Sequence, residues 1–201
     1  MFFLHPFFAY FWREVLKMTD ILSLLEANPV IPAIHTDKFF AALESPCEVI
    51  FCLGESILTV AEHIKLAHAK GKKMLVHIDL AEGIGKDEAG VRYLSSLGCD
   101  GIISTRAQII KYAKKEKMFT VQRFFTLDSQ GVDSISDVLA SANPNMIEIM
   151  PGVITKTISK FAEKSVPVIA GGLVETKEEA TAALGAGAIA VSTGSEALWY
   201  L

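Results

Sequence analysis

Residues 167–199 read PVIAGGLVETKEEATAALGAGAIAVSTGSEALW. Two brief runs, PVIAG (167–171) and AIAVS (188–192), are apolar and carry β-branched residues, as strands buried on both faces do. Between them, Thr176 and Glu179 stand at capping-box spacing, and TKEEATAALGAG (176–187) stops at glycine. The order is strand, loop, helix, strand. That is the unit from which parallel sheets are built.

The same alternation runs back to Val30. Strands are predicted at VIPAI (30–34), VIFCL (49–53), MLVHIDL (74–80), GIIS (101–104), FTVQRFF (119–125) and MIEIM (146–150). The intervals leave room for a crossover helix and two short loops each time. SILTVAEHIKLAHAKG (56–71) is amphipathic and ends in Gly71, a plausible C-cap. Eight successive units predict an α/β fold, a single (β/α)8 TIM-type barrel over residues 18–201. A doubly wound open sheet would more often show fewer strands and a glycine-rich first turn, which VIPAIHT is not.

Bulk properties agree with one such domain. The chain has 201 residues, close to the lower limit of about 200 for this architecture. Apolar residues make up 51% and charged residues 21%, enough to bury a large core and too apolar for a disordered chain. The net charge of −4 advertises no nucleic-acid binding, so any such role must rest on local patches. Cys47, Cys52 and Cys99 form no C-x-x-C pair and read as reduced, buried thiols of a cytoplasmic protein.

Residues 1–17, MFFLHPFFAYFWREVLK, differ from the rest. They are dense in aromatics, too short for a membrane span, and lack the basic start and small-residue cleavage site of a secretory signal. We read them as an extension of uncertain status and leave them out of the fold; a membrane-surface anchor is the sharper alternative. No membrane association is expected of the barrel itself.

In a β/α barrel the ligand site lies at the C-terminal strand ends. The seventh strand ends in Ala170-Gly171-Gly172, and the eighth in Ser192-Thr193-Gly194-Ser195. Glycines let backbone N–H groups approach an anion, and barrels commonly hold phosphate at these two loops. His77 and Asp79 lie two apart on the third predicted strand and should share its inward face. By the same parity Glu148 faces inward. Gln122 is also expected inward, because Val121 reads as helix-facing, and Arg123 is expected at the strand end, suited to phosphate. Ser104 and Gly152 lie at the ends of the fourth and sixth strands. These polar groups either contact a ligand or satisfy one another.

A catalytic reading of Glu148, Asp79 and His77 as base and acid, or as ligands of a divalent metal, stays open. Against it, the chain offers no strand-end lysine, no Ser-His-Asp arrangement and no zinc spacing. We expect a binding site with no catalytic residue, no metal and no cofactor. Lys70, Lys72 and Lys73, then Lys111, Lys114, Lys115 and Lys117, cluster where helices feed strands; Lys156, Lys160 and Lys164 form a stripe. Such lysines are usually a solvated surface but can also touch an RNA backbone.

Several stretches together carry a family resemblance: IPAI (31–34), GKKMLVHIDLAEGI (71–84), GIISTR (101–106), VQRFFTLDS (121–129), IEIMPG (147–152), VIAGGL (168–173) and ALGAGAIAVSTGSEALW (183–199). In this order and spacing the chain resembles the glycerol uptake operon antiterminator regulatory proteins of bacteria. The resemblance implies a barrel that senses glycerol 3-phosphate and, with ligand bound, acts on leader mRNA of glycerol-metabolism genes to prevent early termination. It would place phosphate at Gly171–Gly172 and Thr193–Gly194, with His77, Asp79, Arg123 and Glu148 as nearby polar lining. It defines no RNA surface; Lys111, Lys114 and Lys115 are weak candidates. A homo-oligomer is possible. The alternative function is a barrel enzyme acting on a small phosphorylated three-carbon substrate. Residues 1–17 do not match the family pattern.

Overall fold

The eight predicted strands pair in sequence order, and the eighth closes on the first. They are β1 (Val30–His35), β2 (Val49–Gly54), β3 (Lys73–His77), β4 (Gly101–Ser104), β5 (Phe119–Phe125), β6 (Met146–Met150), β7 (Val168–Gly171) and β8 (Ala190–Thr193). The computed structural model describes residues 21–126, 135, 138–163 and 166–201. The expected extension at 1–17, the end of the VQRFFTLDS stretch from residue 127, and Lys164 lie outside the described residues.

All eight pairings are parallel. Stepping sideways around the barrel while advancing one residue per strand gives Ala33, Cys52, His77, Ser104, Arg123, Ile149, Gly171 and Thr193, and returns to Ala33. These residues form one level, and the stagger is that of a (β/α)8 barrel. The odd strands supply its inward members: Ala33, His77, Arg123 and Gly171. Cys52 and Ile149 face the surrounding helices instead, within the outer core.

Two cores follow from this alternation. Ile31, Phe51, Leu75, Ile103, Val121, Met146, Ile169 and Ala190 fill the barrel below the polar level. Ile21 and Leu25, from a helix over residues 21–27, join the same cluster. The outer core packs the other strand faces against helix residues such as Val60, Ile64, Val91, Ile109, Ile158 and Phe161. Each such side chain contributes about 1.5–3 kcal/mol when fully buried.

The helices start and stop as their chemistry dictates. Thr176 and Glu179 form the reciprocal capping box ahead of Lys177–Gly185. Asp87 caps Glu88–Ser96 by accepting from the Gly90 N–H. After Val60–Ala69, Gly71 takes a left-handed φ of 73° that lets the chain reverse into β3. The chain ends in a 3-10 turn, Glu196–Tyr200, anchored by Trp199, whose Nε1 donates to Thr193 O at 3.0 Å.

Two sequence expectations are corrected. The stretch 74–80 is not one strand: β3 ends at His77, and Ile78–Leu80 forms a 3-10 turn. Asp79 therefore does not share an inward strand face with His77. On β5, Val121 faces the barrel axis and Arg123 follows it inward, whereas Gln122 faces outward. An apolar residue cannot report the outer face here, because the barrel interior is equally apolar.

Candidate ligand site at the barrel mouth

The glycines of β7 and its loop are fixed by close approach. A Cβ on Gly171 would stand 2.5 Å from Glu148 Oε1 and 2.7 Å from Ser192 Oγ. Gly152 brings the β6 loop against β7, its N–H donating to Gly171 O at 2.6 Å. Gly172 has φ 71°, and a Cβ there would meet the Met150 methyl carbon at 2.5 Å. Leu173 follows with φ 60°, a left-handed conformation that costs a branched residue on the order of 1–3 kcal/mol. Strain of this size concentrates where backbone is shaped around a ligand.

A cavity of about 570 Å³ opens beside this loop. Ala33, His35 and Leu53 wall it from β1 and β2, and Arg123, Glu148 and Met150 from β5 and β6. Residues 172–175 and 192–195 complete it from the seventh and eighth loops. Among the described residues, the N–H groups of Gly172, Leu173 and Gly194 meet no acceptor. Such exposed amides at a concave turn attract anions. Lys38 adds a cation at the rim: its Nζ donates to Gly194 O at 3.2 Å and pairs with Glu196 at 3.0 Å.

A buried charge relay forms the cavity floor. Arg123 Nε donates to Glu148 Oε2 at 2.5 Å, and Ser192 Oγ donates to Glu148 Oε1 at 2.5 Å. Arg123 and Glu148 are buried, at 6% and 0% exposure, so each ion depends on the other. With Nε committed to Glu148, the Nη groups of Arg123 form no hydrogen bond or ion pair with a described residue. A planar guanidinium edge lining a cavity is suited to bidentate anion contact.

His77 stands on the same level, on the inner face of β3. It is 3% exposed, and its Nδ1 is buried without a partner. Burial first, and the Arg123 charge second, push its pKa down to about 4, so the imidazole is neutral near pH 7.

Several predicted residues have other engagements. Asp79 accepts from Ser104 Oγ at 2.9 Å and from Thr105 N and Oγ1 at 2.8 and 2.9 Å, which clamps the β4 loop. Burial opposes but does not overcome these donors, which hold its carboxyl below the usual range. Thr193 Oγ1 donates to Val174 O at 2.6 Å and accepts from Ser195 N at 3.0 Å, so it braces the two loops. Of the ten predicted ligand residues, Arg123, Glu148, Gly172, Thr193 and Gly194 line the cavity, whereas His77, Asp79, Ser104, Gly152 and Gly171 do not. Sequence reading missed Lys38 and Leu173, neither of which carried a signal; it named Ser192 in the eighth loop, but not its bond to Glu148.

No three His, Cys, Asp or Glu side chains among the described residues form a metal-ligating group. The three cysteines are free and buried, and burial pushes Cys99 up to about 12. No described helix is long and apolar enough to cross a membrane.

The model of the glycerol-3-phosphate responsive antiterminator family matches residues 30–199. The chain belongs to this family. An antiterminator regulatory protein of the glycerol uptake operon from Listeria monocytogenes superposes with a TM-score of 0.81 at 36% identity, over 86% of this chain and 95% of that one. A related protein from Thermotoga maritima gives 0.76 at 32% identity, over 85% and 96%. Escherichia coli (strain K12) YgcP is 38% identical over 184 residues, 90% of this chain and 96% of its own length. Deoxyribose phosphate aldolase from Aeropyrum pernix shares the fold alone, at 14% identity and a TM-score of 0.65 over 92% and 94%. The antiterminator family is regulatory by description.

The lysine clusters resolve unequally. Lys72 Nζ is spent on Ser45 O and Cys47 O, both at 2.6 Å, while Lys70 pairs with Glu44 and Lys73 with Asp100. Lys111, Lys114 and Lys115 lie on the last turns of Ala107–Lys115, with Lys115 over the Tyr112 ring at 5.4 Å.

Proposed function

We propose that this protein is a glycerol 3-phosphate sensor that, with ligand bound, engages leader mRNA of glycerol-metabolism genes and prevents early termination. The observation that carries the reading is the cavity bounded by Arg123 and the amide-bearing loops 172–175 and 192–195, in a chain of the antiterminator family. The phosphate would sit against the Gly172, Leu173 and Gly194 amides, with the Arg123 Nη edge facing it. Ligand binding would tie the seventh and eighth loops together and shift the population of an RNA-competent state. The role is regulatory: Glu148 has both oxygens engaged and is a poor candidate for a general base.

RNA contact would fall to Lys111, Lys114 and Lys115, the basic cluster on the helix Ala107–Lys115. A gel shift with leader RNA at low salt, with and without glycerol 3-phosphate, tests the reading. Retardation only with ligand, lost steeply as salt rises, supports it. Retardation in neither condition contradicts it.

A further inference from the structure

We propose that the mouth face of the barrel is a dimer interface, on which a second copy of this chain docks face to face and covers the cavity. The inference goes beyond the sensor reading and does not depend on what the cavity binds.

Ten large apolar side chains are exposed among the described residues, and seven of them sit at the mouth. Ile57 and Leu58 follow β2, Leu80 follows β3, and Phe125 ends β5. Val153 and Ile154 follow β6, and Leu173 follows β7. Leu58 is 89% exposed and Leu173 65%. Loops that meet only water are ordinarily polar. The seven form two patches, each held in shape by backbone bonds. The Ile57 N–H donates to Glu82 O at 2.9 Å and joins the β2 and β3 loops. The Gly152 N–H donates to Gly171 O and Gly172 O and joins the β6 and β7 loops.

With the strands in sequence order around a closed ring, these two patches stand on opposite sides of the mouth. The face is therefore complementary to itself. Consider a two-fold axis in the plane of the mouth, entering between β4 and β5 and leaving between β8 and β1. It sets β2 over the partner's β7, β3 over β6, β4 over β5 and β1 over β8, each contact made twice. Leu58 then meets the partner's Leu173, and Leu80 meets the partner's Val153 and Ile154. The polar rim matches in the same orientation. Arg106, just past β4 and half-exposed, comes over the partner's Phe125 ring, a favourable place for a cation. Lys38, past β1, meets the partner's Glu196, past β8, so that the Lys38–Glu196 pairs of the two copies join. The seven side chains offer on the order of 500 Å² of apolar surface, about the apolar share of a standard interface that buries ~800 Å² per partner. Leu173 lines the cavity, so the partner's Leu58 closes it from above.

The test is sedimentation equilibrium of the whole protein over a range of concentrations, followed by cross-linking. Wild-type protein is expected to sediment at twice the chain mass, and Leu58→Asp at the monomer mass with an unchanged circular dichroism spectrum. Leu58→Cys and Leu173→Cys proteins, mixed and mildly oxidised, should give a disulfide-linked pair, whereas neither should do so alone. The native cysteines are free and buried and do not compete. Wild-type protein that stays monomeric at every concentration overturns the inference and leaves the face to a different partner; that measurement needs no variant to fold. A dimer that survives Leu58→Asp, or one in which Leu58→Cys links to itself and not to Leu173→Cys, also overturns it.

Discussion

Arg123 and Glu148 meet inside the barrel, Nε to Oε2, at 2.5 Å. They lie opposite each other in the β5–β6 register, and their side chains are only 6% and 1% exposed. The pair supplies the cavity with a cation whose position is fixed from below.

Breaking that pair one side at a time leaves an uncompensated buried charge. Glu148→Ala is expected to lower stability by about 3–5 kcal/mol in urea denaturation. Replacing both partners, Arg123→Met with Glu148→Leu, should recover much of the loss while abolishing phosphate-ester binding. Equal stability of the single and double variants would contradict the pairing.

Gly171 and Gly185 predict opposite signs for the same change. Gly171→Ala places a methyl 2.5 Å from Glu148 Oε1 and should cost about 1–3 kcal/mol and weaken the ligand. Gly185 ends a helix with nothing within 4 Å of its missing Cβ, so Gly185→Ala should gain up to about 1 kcal/mol. Thermal denaturation of the two variants checks the contrast.

Protonation of His77 links stability to pH. The folded pKa of about 4 lies below the unfolded value near 6.5, so the unfolded chain takes up the proton first as pH falls. Stability is whole above about pH 6.5 and declines toward pH 4, by on the order of 3 kcal/mol. Urea midpoints of wild type and His77→Gln across this window should diverge; parallel curves would remove His77 from the balance.

Asp79 holds the β4 loop through three hydrogen bonds. Asp79→Ala should therefore accelerate amide exchange at Thr105 and cost about 1–3 kcal/mol. Unchanged exchange at Thr105 would show that the loop is held by other contacts.

The strands were legible because each is a short apolar run between helical stretches, and both faces of a barrel strand are buried. That same property hid the direction of β5. Val121 could have faced either core, and the inward Arg123 became visible only through Glu148 on the neighbouring strand. Asp79 was misplaced because an apolar run continued past the true end of β3, and periodicity does not distinguish a strand from the 3-10 turn that follows it. The glycine loops were readable from composition. What their hydroxyls bond was not, since Thr193 and Ser104 are spent on neighbours far away in sequence.

Backbone amide NMR during titration with glycerol 3-phosphate measures the proposed phosphate cradle itself. Saturable shifts should appear at Gly172, Leu173 and Gly194, while amides of the helix Glu88–Ser96 on the barrel's outside stay in place. Saturable shifts confined to residues away from those two loops, or no shifts at all, would contradict the account.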